Sequence, residues 1–357
     1  MSKERLSNIE LLRIIAMIGI IFFHYSDHGL YNITPENSTD INYIFQSLFR
    51  IGGGLGNCLF ILITGFFLVN SKITIIKTVR LWTQVAFYSF ASFAIYVLAT
   101  GNFTSHLLFY SLTPITHNVY WFFTTYVILY LCSPLLNDGI KSLSKLGFTS
   151  IVLLCVTCFS LMPTFGNYNF IDNNRTGVFF TLYFIGAWLR LYGTQYLNKP
   201  LMQKVALVTS VALILLCEWS IVTNGWWHGI NSRYRYVWGM EQFLVLATAV
   251  SLFILFWLTR IRLNNKINAI AGTVFGVYLL HMNPITTNFI WNNILKIQQW
   301  YNNELMPIYF IISGLTLFIV CSAIEYIRLK TIDPYITNKL SSSNRIAELQ
   351  KYFTNHQ

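Results

Sequence analysis

Apolar runs of about 17 to 25 residues, separated by short polar intervals, recur along the whole chain, and at 1.5 Å per helical residue each is long enough for the ~30 Å hydrocarbon core of a bilayer. They fall near 9–26, 51–70, 81–99, 119–136, 147–163, 177–193, 205–223, 238–258, 269–292 and 306–328. Backbone in hydrocarbon has to satisfy its own N–H and C=O groups, which a helix does within one segment. The pattern predicts an all-α, polytopic integral membrane helix bundle of about ten transmembrane helices, and an even number puts both termini on the same side. No internal repeat or low-complexity tract interrupts it. The membrane domain is expected over 1–330. The basic, polar tail over 331–357 is expected to form a loose or interfacial helix against anionic lipid.

The basic residues indicate which side the termini occupy. Lys3, Arg5, Lys72, Lys77, Arg80, Lys141, Lys145, Arg190, Lys199, Lys204, Arg260, Arg262, Lys266 and, after the last run, Arg328, Lys330, Lys339, Arg345 and Lys351 fall at one set of helix ends, while Arg50, Arg175, Arg233, Arg235 and Lys296 fall at the other. Basic loops stay cytoplasmic, so both termini are expected in the cytoplasm and the chain in the plasma membrane, crossing it many times. The outward loops are rich in Asn, Thr, Trp and Tyr and too short to fold alone. Any chemistry facing outward must then happen at the mouth of the bundle.

Composition narrows the class further. With 55% hydrophobic residues, 17% aromatic, 10% charged and a mean hydropathy of +0.52, the chain is not a cytosolic enzyme, a secreted disulfide domain or a disordered segment. The net charge of +11 is a topology signal here, and no nucleic-acid partner is expected. Met1 to Arg5 followed by an apolar run has the outline of a signal peptide, but no small-residue cleavage site follows, so a retained first span is expected. All six cysteines lie in apolar runs and read as small fillers, the Cys155–Cys158 pair included. His24 and His28 have metal-ligand spacing, but no third ligand accompanies them, and no metal site is expected.

The first span holds Glu10, Arg13 and His24 in a helix otherwise suited to lipid, where a mid-span charge costs roughly 2.5 kcal/mol or more. Eleven residues at 100° each return to within about 20° of the same face, so Arg13 and His24 share a face and lie about 16 Å apart along the axis. Arg keeps its proton and offers a planar fork suited to phosphate. A desolvated neutral imidazole can take a proton from a hydroxyl or attack an acyl carbon. Equally, Glu10 and Arg13 at i, i+3 can pair simply to steady a helix end while His24 bonds a backbone carbonyl.

This segment, with an acidic residue three positions before the Arg and ten residues between Arg and His, resembles the first-helix motif of the acyltransferase-3 family of integral membrane O-acyltransferases. Four more segments agree in order. Asn57 to Leu68 resembles the family's second-helix pattern, with Thr64-Gly65 for its Ser-Gly. Lys77-Thr-Val-Arg80 resembles the paired basic residues that follow, with Lys77 for the first Arg and Thr83 where a Pro is expected. Tyr120-Trp121-Phe122 with Pro134 resembles the fourth-helix pattern, and Tyr278-Leu-Leu-His281 the late Tyr-Leu-x-His segment.

The resemblance implies a polysaccharide O-acetyltransferase-like enzyme that moves an acyl group, most often acetyl, from acyl-CoA to a hydroxyl of a surface carbohydrate such as exopolysaccharide, capsule or wall polymer. Acetyl-CoA is then a donor substrate and no bound cofactor is expected. His24 would be catalytic, Arg13, Lys77 and Arg80 would hold the phosphates of acyl-CoA, and Glu10, Trp121, Tyr278 and His281 would support them. Lys77 and Arg80 also suit ordinary anchoring at the inner face. His281 also suits a satisfied buried histidine, and Trp121 with Trp226-Trp227-His228 also suits an aromatic belt. The expected partners are acyl-CoA, the carbohydrate acceptor, membrane lipids and proteins of polysaccharide assembly. A transporter or flippase for an anionic or lipid-linked sugar is the competing class, since intramembrane charges also mark carriers, but no paired repeat halves are present.

Overall fold

The computed structural model describes residues 6–28, 40–166, 175–197, 199–227, 236–237, 239–346 and 348. The helices are α1 (Ser7–His28), α2 (Ile41–Leu48), α3 (Ile51–Leu68), α4 (Ile75–Thr100), α5 (Ser105–Leu112), α6 (Trp121–Ser142), α7 (Lys145–Val156), α8 (Arg175–Trp188), α9 (Pro200–Trp227), α10 (Phe243–Leu258), α11 (Asn265–Ala271), α12 (Val274–His281) and α13 (Met306–Ser341). There is no strand among the described residues. A π turn, Thr157–Leu161, carries α7 on to Phe165, and another, Leu189–Gly193, carries α8 on to Leu197.

Six stretches are long and apolar enough to cross a membrane: Ser7–His28, Ile41–Leu68, Ile75–Thr100, Lys145–Phe165, Pro200–Thr223 and Met306–Ser341. The apolar α10 is shorter, at 16 residues. The other expected spans take less regular forms. α6 has the expected length but carries Pro134, Asn137 and Asp138. α8 runs for 14 residues before its π turn. The run at 269–292 breaks into the end of α11, α12 and a π turn at Phe289–Ile294. α13 continues unbroken through the sequence boundary at 330 as far as Ser341.

The chain divides into two compact units, 1–69 with 143–271 and 295–316, and 70–142 with 272–294 and 317–357. In the first unit α3 lies between α1 and α8, and small residues set that packing. A side chain at Gly52 would strike the carbonyl of Gly19 on α1, and one at Gly65 the carbonyl of Tyr183 on α8. In lipid, where apolar burial gives little preference for helix over solvent, such close backbone approach supplies dispersion contact instead. Leu12, Ile21, Tyr25, Ile61, Leu62 and Phe66 are buried in this core. Phe22 stacks on Phe310 at 5.0 Å, closing α1 onto the start of α13.

Polar side chains tie down the start of α1. Asn8 Nδ2 donates to the carbonyls of Phe256, Trp257 and Thr259 at 2.9, 3.2 and 3.0 Å, capping the end of α10, where, among the described residues, only the first of the three also accepts from a backbone N–H, that of Thr259. Ser7 Oγ donates to Asn268 Oδ1 at 3.0 Å and accepts from the backbone N–H of Asn264 at 2.9 Å.

In the second unit α12 packs on α4. Tyr120 O–H donates to the Leu279 carbonyl at 3.1 Å and accepts from Asn283 Nδ2 at 2.8 Å, fixing the residue before α6 against the end of α12.

Candidate active site

The α1 residues are held between two polar clamps. Near the start of the helix, Arg13 Nη1 stands 3.6 Å from Glu10 Oε2, an ion pair longer than a hydrogen bond, with side chains 34% and 11% exposed. Arg13 Nε and Glu10 Oε2 are buried and make no hydrogen bond among the described residues. The helix-steadying pair therefore exists, and the guanidinium keeps a donor for something else. His24 is half-buried, its ring 5.1 Å from that of Phe23 and 6.0 Å from that of His28. Just beyond it, Arg50 Nη2 donates to Asp27 Oδ1 at 2.8 Å and Ser26 Oγ donates to the Gln46 carbonyl at 3.0 Å. With Ser7 and Asn8 fixed at one end and Ser26 and Asp27 at the other, α1 presents Arg13 and His24 from a rigid support, as a site that must hold geometry requires.

The Thr64-Gly65 pair acquires a physical meaning on α3. Thr64 Oγ1 returns its proton to the Phe60 carbonyl at 2.8 Å, a local bond that a serine would make equally well. Gly65 is the constrained member, because α8 passes over it.

The remaining sequence candidates belong to the second unit. Lys77 is exposed and forms no ion pair among the described residues, whereas Arg80 gives Nε and Nη2 to the carboxylate of Asp333. Trp121 opens α6, half-buried, its ring 5.8 Å from Phe122. Tyr278 is buried with its ring 5.8 Å from Tyr120, 6.0 Å from Phe122 and 6.5 Å from His281. His281 is fully buried, with Nδ1 2.6 Å from the Val277 carbonyl. A carbonyl only accepts, so Nδ1 carries a proton and donates it to Val277. The side chains of Trp226, Trp227 and His228 lie outside the described residues. Among the described residues no group of three or more His, Cys, Asp or Glu could hold a metal ion.

One buried charged cluster was not anticipated. Glu325 on α13 is fully buried and accepts from Gln84 Nε2 at 2.9 Å, Tyr88 O–H at 2.5 Å, and Arg328 Nε and Nη2 at 2.8 Å each. Arg328 Nη1 also stands 3.7 Å from Asp333, the partner of Arg80. Gly276 of α12 lies against the Glu325 side chain, where any Cβ would collide. Glu325 and Arg328 repeat the i, i+3 spacing of Glu10 and Arg13 within an apolar run, which was the available signal.

Comparison with known proteins supplies the class. No curated protein and no solved structure matches the chain. The family model Acyl_transf_3, described as an acyltransferase domain, matches residues 6–326, from the foot of α1 to one residue past Glu325. With intramembrane Glu10, Arg13 and His24 on one supported helix and six membrane-length helices around the chain, this match shows that the chain belongs to the acyltransferase-3 family and is a membrane acyltransferase.

Proposed function

We propose that the enzyme transfers an acyl group, acetyl in the first instance, from acyl-CoA to a hydroxyl of a cell-surface carbohydrate at the plasma membrane. The observation that carries this reading is α1 itself. Its guanidinium keeps an unbonded buried Nε, and a half-buried imidazole stands eleven residues further along the same face. Arg13 holds a donor phosphate, with Glu10 setting its rotamer, and Lys77 and Arg80 in the second unit offer cations of the same chemistry. His24 takes the proton of the acceptor hydroxyl as its oxygen bonds to the thioester carbonyl carbon; the C–S bond then breaks and the CoA sulfur leaves as the thiolate, which takes up a proton. Trp121 offers a face for a sugar ring, and Tyr278 and His281 shape the wall behind it. The expected cytoplasmic N-terminus has α1 running outward, with Arg13 toward the cytoplasmic donor and His24 toward an acceptor arriving from outside.

The test is the O-acetyl content of surface polysaccharide in cells carrying the gene, lacking it, or carrying His24→Ala. The His24→Ala cells should match the deletion while the protein inserts at wild-type level. Transfer by purified His24→Ala protein close to that of the wild type would sink the assignment.

A further inference from the structure

Within the first unit, a crevice of about 430 Å³ opens between α9 and α10, roofed by Ile185 of α8 and by Leu197. Its walls are almost wholly apolar, among them Met202, Val205, Leu213, Val250 and Ile254. Two hydroxyl residues line it: Thr209, which is exposed, and Ser251, whose Oγ is already matched by Ser210 Oγ at 2.9 Å, both serines being buried, and by the Ala206 carbonyl at 3.3 Å. A ligand in this crevice meets no open donor or acceptor from those serines, so a hydrocarbon chain is the chemistry that fits.

One end of the crevice carries charge. α9 begins and α10 finishes at the same end, where Gln203 Nε2 reaches Thr259 Oγ1 at 3.4 Å. Lys199 and Lys204 flank the start of α9, and Arg260 and Arg262 follow α10. All four are exposed and none is in an ion pair among the described residues. No Asp or Glu occurs in 190–217 or 242–267. Snorkelling lysines alone explain cations near headgroups, but they do not explain an apolar slot that begins beside them. We propose that this crevice is a binding site for one anionic glycerophospholipid, with an acyl tail between α9 and α10 and its phosphate among Lys199, Lys204, Arg260 and Arg262. A juxtamembrane cation contributes about a fivefold preference for anionic over zwitterionic lipid, so several together select the headgroup while the slot selects the tail.

Full-length protein in vesicles of phosphatidylglycerol and phosphatidylcholine, extracted in mild detergent and examined by native mass spectrometry, tests this. Wild type should retain phosphatidylglycerol in preference to phosphatidylcholine. Lys199→Gln, Lys204→Gln and Arg260→Gln should each lower that preference by about fivefold. Val250→Trp, which fills the slot, should lose the bound lipid at unchanged helical content. Retention of phosphatidylglycerol by Val250→Trp, equal retention of both lipids by wild type, or displacement by long-chain acyl-CoA would overturn the proposal. A second measurement needs no variant: phosphatidylglycerol with a photoactivatable tail should crosslink to peptides within 197–213 and 246–254. Crosslinks spread evenly over the lipid-facing surface of α9 would overturn it as well.

Discussion

Removing Glu325 should be among the most damaging single changes to the stability of this protein. Its carboxylate accepts four hydrogen bonds, two of them from Arg328, which is itself only 5% exposed. Glu325→Ala leaves that guanidinium buried with Asp333 at 3.7 Å as its remaining anion, and strands the Tyr88 hydroxyl. Deleting one partner of a buried ion pair costs about 3–5 kcal/mol, far above the roughly 0–1 kcal/mol of an exposed pair. Arg328→Ala should fall in the same range. The double variant Glu325→Leu, Arg328→Met keeps the volume and leaves no lone charge, so its loss should be well below the sum, with the stranded Tyr88 hydroxyl accounting for about 1–3 kcal/mol. Equilibrium unfolding in mixed micelles, followed by helical circular dichroism, measures all three. Single losses under about 1 kcal/mol, or a double loss equal to the sum, would refute the claim that a desolvated pair sits here.

Arg13→Lys should weaken the use of acyl-CoA more than the turnover of bound donor, because an ammonium cannot reproduce a bidentate fork; an unchanged apparent affinity would leave Arg13 only its pairing with Glu10. Asn8→Ala should cost about 1–3 kcal/mol in the same unfolding assay, since three carbonyls lose one donor, and no loss would mean that water serves them instead. Gly65→Val should cost more than the ~1–3 kcal/mol of ordinary overpacking because a carbonyl of α8 has no room to retreat, whereas Gly139→Ala, with open space beside it, should be neutral or stabilising. Cysteines at exposed Asn118 and Asn344 report sidedness: the first should label from outside and the second only after permeabilisation, and outside labelling at Asn344 would reverse the orientation of α1.

The helical membrane class was legible because apolar run length has one dominant cause, the thickness of hydrocarbon. Glu10, Arg13 and His24 were legible for the complementary reason, that charges are conspicuous in such a run. Run length could not show that 269–292 would break into short helices, because hydropathy is blind to whether Asn283 and Thr287 turn their polar atoms onto the backbone, as both do here. Glu325 was hidden because Arg328, at the edge of the 306–328 run, reads as one more cation at a helix end, although the two repeat the spacing that had exposed Glu10 and Arg13. Nor did Arg80 reveal its pairing with Asp333, since its partner lies 253 positions away. The polar interval between the runs at 81–99 and 119–136 also reads as a bare loop, but it folds into the short helix α5, on which Ser111 is fully buried.

The anchoring of α1 has a temporal side. Gly52, which accepts α1 at close range, leaves the ribosome some thirty residues after Gly19, so the pairing of α1 with α3 can form early. The carbonyl of Thr259 that receives Asn8 is 251 residues away, and at a synthesis rate of about 5–20 residues per second it does not exist until roughly 12 to 50 s later. Through that interval the foot of the helix bearing Arg13 has neither the α10 carbonyls nor Asn268 to bond. Its polar groups must be carried by headgroups or by the insertion machinery, and α1, though made before the elements that anchor its foot, is among the last of them to be locked in place.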